Sequence, residues 1–245
     1  MPEFFEVSSP LELCVLIPAY NEEEHLPDTL HAIYQVLIAA DIPHNLLVVN
    51  DNSTDNSIAV LGQIEQHIPT LRYANNGYGQ GFGNAVRYGL DHWQGDAVAI
   101  VMADASDSPA DLVTYYRQLI LTGKDCVFGS RFMFGSQVTD YPRQKLFFNR
   151  GFNLLVRGLV DYRFNDFTNA FKLYRRAVIE AGRPYHSQNF SLTLELPLKA
   201  LRNGFTYTAV PISWTQRKFG HSKLNLRRNA RAYLTVLSRY LTHRL

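Results

Sequence analysis

Five short apolar runs alternate with longer segments of helical periodicity in the first half of the chain, and this alternation restricts the possible folds most. The runs lie at 13–17, 45–50, 71–74, 97–102 and 125–130. Strands that are apolar along their whole length, with helices between them, are typical of a parallel sheet covered on both faces. The sequence therefore predicts an α/β fold with a mostly parallel central sheet flanked by helices. Beyond residue 143 the pattern is mainly helical, with one strand-like run at 207–214.

Four of these runs are followed directly by polar, acidic or glycine-rich segments. They are PAYNEEE (18–24), DNSTDNS (51–57), NNGYGQGFGNA (75–85) and ADASDSP (103–109). In open α/β sheets, ligands bind outside the carboxyl ends of the strands. We therefore expect the four segments to border one shared site.

Composition narrows the class of protein. A chain of 245 residues with 46% hydrophobic residues can bury one α/β core without disulfides. Cys14 and Cys126 lie in apolar runs and are expected to be reduced core residues. The net charge of +2 is too small to indicate a nucleic-acid partner. Because neither a signal peptide nor an apolar run of roughly 18 residues is visible, we expect a cytoplasmic protein, at most peripheral on the cytoplasmic face of a membrane.

Two carboxylates follow the fourth run. Asp104 comes immediately after the strand, before any helix cap is needed, whereas Asp107 or Ser108 can cap the next helix, with Pro109 in its first turn. Hard cations such as Mg²⁺ or Mn²⁺ prefer carboxylate oxygen and are often held by one or two carboxylates plus substrate phosphates. The pattern predicts Asp104 as a metal ligand, and Asp107 as either a second ligand or a helix cap.

The glycine-rich segment at 75–85 permits close backbone approach to a ligand, and the helix N-terminus behind it favours an anion. It does not match the dinucleotide fingerprint, because Asn84 stands three residues after Gly81, where that fingerprint has glycine or alanine. A nicotinamide dehydrogenase is therefore disfavoured.

Six ordered segments together resemble the family 2 glycosyltransferases with a GT-A fold, and within them the polyprenyl-phosphate sugar transferases of the dolichyl-phosphate mannose synthase type. The segments are VLIPAYNEEEHL, VVNDNSTDNS, NNGYGQGFGNAVRYGL, VMADASDSPADL, FGSRF and RKFGHSK. The resemblance spans about residues 11 to 225. It implies an inverting enzyme that moves a hexose, with mannose from GDP-mannose the favoured donor, from a nucleotide sugar to polyprenyl or dolichyl phosphate.

The resemblance also implies roles for single residues. The nucleotide-sugar site is expected to contain Pro18, Tyr20, Glu22, Asp51, Asn76, Gly79, Ser222 and Lys223. The residues expected to act in catalysis are Asp104, Arg131, Lys145 and Arg217. Arg131 and Lys145 match positions that face the acceptor phosphate, and Arg217 belongs to a loop that closes over the diphosphate. A lipid phosphate is already anionic near pH 7, so its site needs cations rather than a general base.

One position departs from the family pattern. Asp104 matches the second acid of the DxD element, but Met102 stands at the first, and a thioether cannot replace a carboxylate for Mg²⁺. Either Asp104 with the diphosphate suffices, helped by Asp107, or metal dependence is weakened. Met102 therefore keeps open a second interpretation, a non-catalytic nucleotide-sugar-binding protein.

A further alternative concerns the acceptor. A family 2 enzyme that uses a sugar hydroxyl as acceptor would need a base, for which Glu195 and Asp107 are the candidates.

The chain is expected to divide into a GT-A domain at 1–223 and a basic amphipathic helix at 224–245. That helix can lie in a membrane interface or pack on the core. The sequence leaves open the base, the sugar, the lipid length and the oligomeric state.

Overall fold

The computed structural model describes residues 10–216 and 226–245, with side chains from Asn229 onwards in the second range. The strands are β1 (Leu13–Ala19), β2 (His44–Asn50), β3 (Leu71–Asn75), β4 (Ala97–Ile100), β5 (Cys126–Ser130), β6 (Gln137–Thr139), β7 (Lys172–Arg175), β8 (Tyr207–Pro211) and β9 (Ser213–Thr215). The helices are α1 (Leu26–Ala39), α2 (Ser57–Glu65), α3 (Phe82–His92), α4 (Pro109–Thr122), α5 (Arg143–Leu159), α6 (Arg176–Ala181), α7 (Leu192–Arg202) and α8 (Leu226–Leu241).

Seven strands form the central sheet in the order β3-β2-β1-β4-β7-β5-β8. All neighbours pair in parallel except β7, which is antiparallel to both β4 and β5. The predicted α/β fold with a mostly parallel sheet is confirmed. The strand-like run at 207–214 is divided at Ile212, so that β8 joins the large sheet while β9 pairs with β6 in a small second sheet.

The expectation of a mainly helical second half missed β7. This strand has four residues and passes directly into α6, so no alternation of apolar residues is long enough to reveal it. It matters for the site because it lies between β4 and β5, the two strands that precede the acidic segment and Arg131.

Both faces of the sheet are buried, which explains the continuous apolar runs. Along β1, Val15 and Ile17 point into a core shared with α1, α2 and α4, whereas Cys14 and Leu16 point into a second core under α3, α6, α7 and α8. Each fully buried Val, Leu or Ile contributes about 1.5–3 kcal/mol to stability. Both cysteines are free and buried, as expected, and burial raises the pKa of Cys14 to about 12, so this thiol is unreactive.

The C-terminal helix α8 packs on the second core. Val236 and Leu237 are buried there, and the Tyr233 hydroxyl lies 3.1 Å from Thr193 Oγ1 of α7. Leu234 and Leu241 remain exposed. The inner side of this helix is thus used within the protein. Among the described residues, no helix combines the length and the apolar character needed to cross a membrane.

Gly129 in β5 is expected to be intolerant of a side chain. A Cβ there would lie 1.6 Å from the Tyr115 hydroxyl and 2.7 Å from Ile212 Cγ2. Gly129→Ala should therefore displace Tyr115, break its 3.1 Å bond to the Phe171 carbonyl, and lower the free energy of unfolding by about 2–3 kcal/mol in urea titration. Gly158→Ala on α5 is the matched control, since its Cβ meets nothing and alanine favours the helix by about 0.5–1 kcal/mol. Equal effects of the two substitutions would contradict the packing argument.

Candidate active site

The segments after β1, β2 and β3 are joined at one edge of the sheet, as the sequence predicted. Asp51, directly after β2, accepts hydrogen bonds from Asn76 Nδ2 at 2.7 Å and from the Gly81 backbone N–H at 2.8 Å. Its own N–H donates to the Ala19 carbonyl at 2.7 Å. Burial raises the pKa of Asp51, and these hydrogen bonds oppose the shift. Asp51 thus ties the end of β1 to the glycine-rich segment.

A second set of hydrogen bonds holds the segment after β1 against the segment after β2. Asn21, in the left-handed conformation, donates its N–H to Ser53 Oγ at 2.9 Å and accepts the Thr54 N–H at 2.7 Å. The Glu22 N–H donates to Ser57 Oγ at 3.0 Å, and its carboxylate contacts His25 at 2.9 Å. The serine and threonine partners were not singled out from the sequence, because their role depends on a segment more than 30 residues away.

The remaining donor-site predictions occupy different environments. Pro18 lies inside β1, buried and paired with Val49 of β2, whereas Tyr20 is half-buried just beyond the strand end. Gly79 has a positive φ of 81° and open space around the position of a Cβ. In contrast, a Cβ at Gly83 would lie 2.4 Å from the Ser187 carbonyl. Glycine is therefore required at position 83 because the backbone packs closely against another part of the protein, and not because a ligand approaches it.

Asp104 and Asp107 lie together beyond β4, and each is only 6% exposed. Asp104 Oδ1 accepts the Ser106 N–H at 3.1 Å, while Asp107 Oδ2 turns back to the Met102 N–H at 3.4 Å. Burial, followed by the negative charge of Asp104, raises the pKa of Asp107 to about 7. Ser108, not Asp107, is the N-cap residue of α4, and it makes no side-chain cap bond. Asp107 is therefore not the cap of α4, and this alternative from the sequence is wrong.

Strand β9 fixes the backbone of this acidic segment. Asp107 forms an isolated antiparallel bridge with Trp214, and the Thr215 N–H donates to the Ser106 carbonyl at 3.0 Å. The carboxylates are thus held by backbone pairing rather than by a mobile loop. This is the kind of support that a preorganised charged site needs.

Arg131 follows β5 and forms a buried ion pair. Its Nη2 and Nε bind the two carboxylate oxygens of Asp166 at 2.7 and 2.8 Å, and Asp166 is 0% exposed. Burial alone would lower the pKa of Arg131, but attraction to Asp166 outweighs it and raises the pKa. Nη1 donates to the Tyr141 hydroxyl at 3.3 Å. Lys145, in the first turn of α5, has its Nζ 5.9 Å from the centre of the same Tyr141 ring.

The acidic segment after β4 and Arg131 after β5 are linked through two aromatic residues. Asp107 forms its backbone bridge with Trp214, whose ring lies 4.8 Å from the Tyr141 ring, and the Tyr141 hydroxyl accepts the hydrogen bond from Arg131. Residues 14–183 match the model of the family described as Glycosyl transferase family 2. The chain is a family 2 glycosyltransferase.

Two curated relatives resemble this glycosyltransferase over most of its length. Polyprenol monophosphomannose synthase of Mycolicibacterium smegmatis is 31% identical over 222 residues, which cover 86% of this chain and 80% of the relative. Undecaprenyl-phosphate 4-deoxy-4-formamido-L-arabinose transferase of Sodalis glossinidius is 25% identical over 221 residues, or 88% of this chain and 63% of that protein.

Solved structures show the same fold. Glucosyl-3-phosphoglycerate synthase from Mycobacterium tuberculosis, in complex with Mn²⁺, UDP and glucosyl-3-phosphoglycerate, superposes with a TM-score of 0.68 and 16% identity over 95% of this chain and 79% of that one. The complex of that synthase with Mn²⁺ and UDP-glucose gives a TM-score of 0.67 and 17% identity over 95% and 78%. The predicted GT-A fold of the glycosyltransferase is thereby confirmed.

Lys172 supports the segment behind Arg131 in this glycosyltransferase, and sequence reasoning missed it. It is buried in β7, and its Nζ donates to the carbonyls of Phe167, at 2.9 Å, and Asn169. Burial lowers its pKa to about 7, and the charge of Asp166 opposes this. Lys172 therefore holds the turn that carries Asp166, but a lone lysine in an unrecognised strand gives no sequence signal.

Tyr141 was also missed, although it connects the cationic residues of this glycosyltransferase. Its hydroxyl accepts hydrogen bonds from Arg131 and from Asn149 Nδ2, the latter at 2.8 Å, and its ring lies 4.8 Å from that of Trp214. Three other predicted residues, Arg217, Ser222 and Lys223, lie outside the described residues.

Proposed function

We propose that this glycosyltransferase transfers mannose from GDP-mannose to polyprenyl or dolichyl phosphate, with inversion at the anomeric carbon. The observation that carries the proposal is a buried pair of carboxylates, Asp104 and Asp107, which Trp214 and Tyr141 link to Arg131. The acid pair suits a cation on the leaving diphosphate, and arginine suits a second anion. The 31% identical relative named polyprenol monophosphomannose synthase supports this donor and acceptor.

Asp104 and Asp107 fit a divalent cation such as Mg²⁺ or Mn²⁺. Their repulsion contributes to the raised pKa of Asp107, and a bound cation would relieve it. In the described part of the chain no His, Cys, Asp or Glu completes a group of three around them, so diphosphate and water would supply the other ligands. When bound, such an ion would act as a Lewis acid and stabilise the charge of a departing diphosphate. The Mn²⁺ bound by glucosyl-3-phosphoglycerate synthase supports a divalent ion in this role.

Asp107 compensates for Met102 in this proposal. Asp107 Oδ2 lies 3.4 Å from the Met102 N, so a carboxylate is placed beside the position where the first acid of the family pattern is absent. Two carboxylates are then available despite the methionine. This supports an enzyme over a non-catalytic nucleotide-sugar-binding protein.

On the donor side, the base and ribose would lie against the ends of β1, β2 and β3 and the loops that follow them. The residues proposed to line this position are Pro18, Tyr20, Glu22, Asp51, Asn76 and Gly79. The hydrogen bond between Asp51 and Asn76 supplies the fixed frame for this binding. Arg217, Ser222 and Lys223 are proposed to close over the diphosphate, since β9 leads directly into their segment from the acidic pair.

On the acceptor side, Arg131 and Lys145 would position an anionic phosphate around Tyr141. No proton has to be removed from such a nucleophile, so no base is needed. Glu195, a candidate base for a sugar hydroxyl acceptor, is 1% exposed and accepts the N–H groups of His186 and Ser187 at 2.9 and 2.7 Å. Glu195 therefore holds the loop before α7, and Asp107 belongs to the proposed cation site. Because both candidate bases have these other roles, the geometry favours the phosphate acceptor.

The test is incubation of the purified protein with labelled nucleotide sugars, polyprenyl phosphate and Mg²⁺ or Mn²⁺, followed by extraction into organic solvent. Label from GDP-mannose is expected in the organic phase. Polyprenol, which lacks the phosphate, is the control acceptor and should take up no label, because it cannot bind the cations and is not ionised. Transfer to polyprenol or to a water-soluble sugar, or no transfer with any donor, would contradict the proposal.

A further inference from the structure

Helix α5 exposes an unusual number of large apolar side chains. Phe147 is 77% exposed and Leu154 67%, and on the same helix only Asn153 and Val156 are buried. The complete set of exposed large apolar residues on this helix is Phe147, Phe148, Leu154, Leu155 and Leu159. Single exposed leucines are common on protein surfaces, but a cluster on one helix marks an interaction site.

The helical repeat arranges these residues in two stripes. The basic stripe consists of Arg143, Phe147, Arg150, Leu154 and Arg157, at steps of four and three residues. The apolar stripe consists of Phe148, Leu155 and Leu159. Exposed Gln144, Gly151 and Gly158 lie between the stripes, and a Cβ at either glycine would meet no atom. Both stripes therefore belong to one continuous solvent-facing surface.

The charge of this surface has one sign. Residues 143–159 contain Arg143, Lys145, Arg150 and Arg157 and no acidic residue, although the whole chain has a net charge of only +2. Within the part of the chain that the structure describes, none of the three arginines forms an ion pair. The surface thus combines exposed apolar area with uncompensated positive charge, which complements an anionic, partly apolar partner.

A groove connects this surface to the acceptor side of the site. The basic stripe forms one wall of a cavity of about 460 Å³, and Phe132 and Asn165 contribute to the other. Phe132 directly follows Arg131, and Asn165 directly precedes Asp166. The Arg150 guanidinium lies 5.2 Å from the centre of the Phe132 ring. A lipid that entered between the basic stripe and Phe132 would bring its head group next to the Arg131–Asp166 pair.

We infer that the exposed surface of α5 docks on an anionic phospholipid bilayer. The inference rests on the proposed function in one respect, that the acceptor is a lipid. A second copy of the chain fits this surface poorly, because two such helices would place three exposed arginines against three. Among the described side chains of α8, Val236 and Leu237 are buried in the core, and Leu234 and Leu241 are the large apolar residues left exposed.

The test is flotation of the full-length protein with vesicles of phosphatidylcholine alone or with about one-third phosphatidylglycerol. Binding is expected only to the anionic vesicles. The triple variant Phe148→Ser/Leu155→Ser/Leu159→Ser should weaken that binding at least about tenfold, because it removes the apolar stripe without touching the groove. The matched control is Ile120→Ser/Leu121→Ser on α4, which also removes exposed apolar residues and should bind like the wild type. The variant Leu234→Ser/Leu241→Ser tests α8 in the same way and should also bind like the wild type.

Thermal unfolding and transfer to a short, water-soluble prenyl phosphate complete the design. The triple variant should keep both, because its three side chains are exposed and lie outside the groove. If it unfolds, Arg143→Gln/Arg157→Gln takes its place, with the same expected loss of binding to anionic vesicles. The inference would be overturned if the wild type and both α5 variants bound the vesicles equally. It would also be overturned if only the α4 or α8 variants lost binding, or if the wild type were a dimer that the α5 substitutions dissociate. Failure of the short acceptor in the wild type would instead refute the proposed function, since vesicle binding does not require turnover.

Discussion

Replacing Asp104 with asparagine is expected to lower glycosyl transfer by about 100- to 1,000-fold while leaving the fold unchanged. Asparagine keeps the shape and an oxygen that can accept the 3.1 Å hydrogen bond from the Ser106 N–H. It removes the negative charge that a divalent cation requires. Initial rates with labelled GDP-mannose, together with calorimetric binding of Mn²⁺ in the presence of GDP, measure the two consequences separately.

Asp28→Asn is the control, because it makes the same chemical change on an exposed residue in the first turn of α1. The variant Asp107→Asn tests whether the second carboxylate also binds the divalent cation. If it does, Mn²⁺ should bind more weakly to this variant as well. Full activity of Asp104→Asn with unchanged affinity for Mn²⁺ would remove the metal role from the proposal.

Replacing Asp166 with alanine should have the largest effect on stability. The substitution leaves Arg131, whose side chain is 9% exposed, as a buried charge without its bidentate partner. Loss of one member of a buried pair costs about 3–5 kcal/mol, and the guanidinium would leave the position proposed for the acceptor phosphate. The free energy of unfolding from urea titration should therefore fall, and the KM for polyprenyl phosphate should rise.

A pair of the same residue types supplies the control. Asp161 binds Arg163 at 2.7 Å, but the arginine is 67% exposed, so Asp161→Ala should destabilise the protein much less. The double variant Asp166→Leu/Arg131→Met removes both buried charges and should regain stability without regaining transfer. If Asp166→Ala unfolds no more easily than Asp161→Ala, the buried pair does not have the structural role assigned to it.

Much of the geometry of the candidate site could be predicted because its residues follow strands that are easy to recognise. Asp51 and Asp104 come directly after apolar runs, and a parallel sheet brings such strand ends to one edge. Asn76 follows the neighbouring strand and is expected near Asp51 for the same reason, and the structure shows the two joined at 2.7 Å. Only the order of apolar and polar segments is needed for this inference.

Partners that are distant in sequence could not be predicted in the same way. Asp166 lies 35 residues from Arg131, and Lys172 sits in a four-residue strand that carries no periodic signal. The sequence makes Glu195 a candidate base, yet its carboxylate binds two backbone N–H groups. Which oxygen meets which donor depends on packing between elements, and composition or spacing does not encode it.

The sequence by itself determined the α/β architecture, the family and the edge of the sheet where the candidate site lies, because buried strands and strand-end loops carry local signals. Only the tertiary structure decided that Arg131 is held by Asp166, that Asp107 turns back to Met102, and that α8 contributes to the core while α5 exposes its apolar residues. An amphipathic helix has one apolar side in any setting. Whether that side meets protein or solvent depends on which neighbours the rest of the chain brings to it.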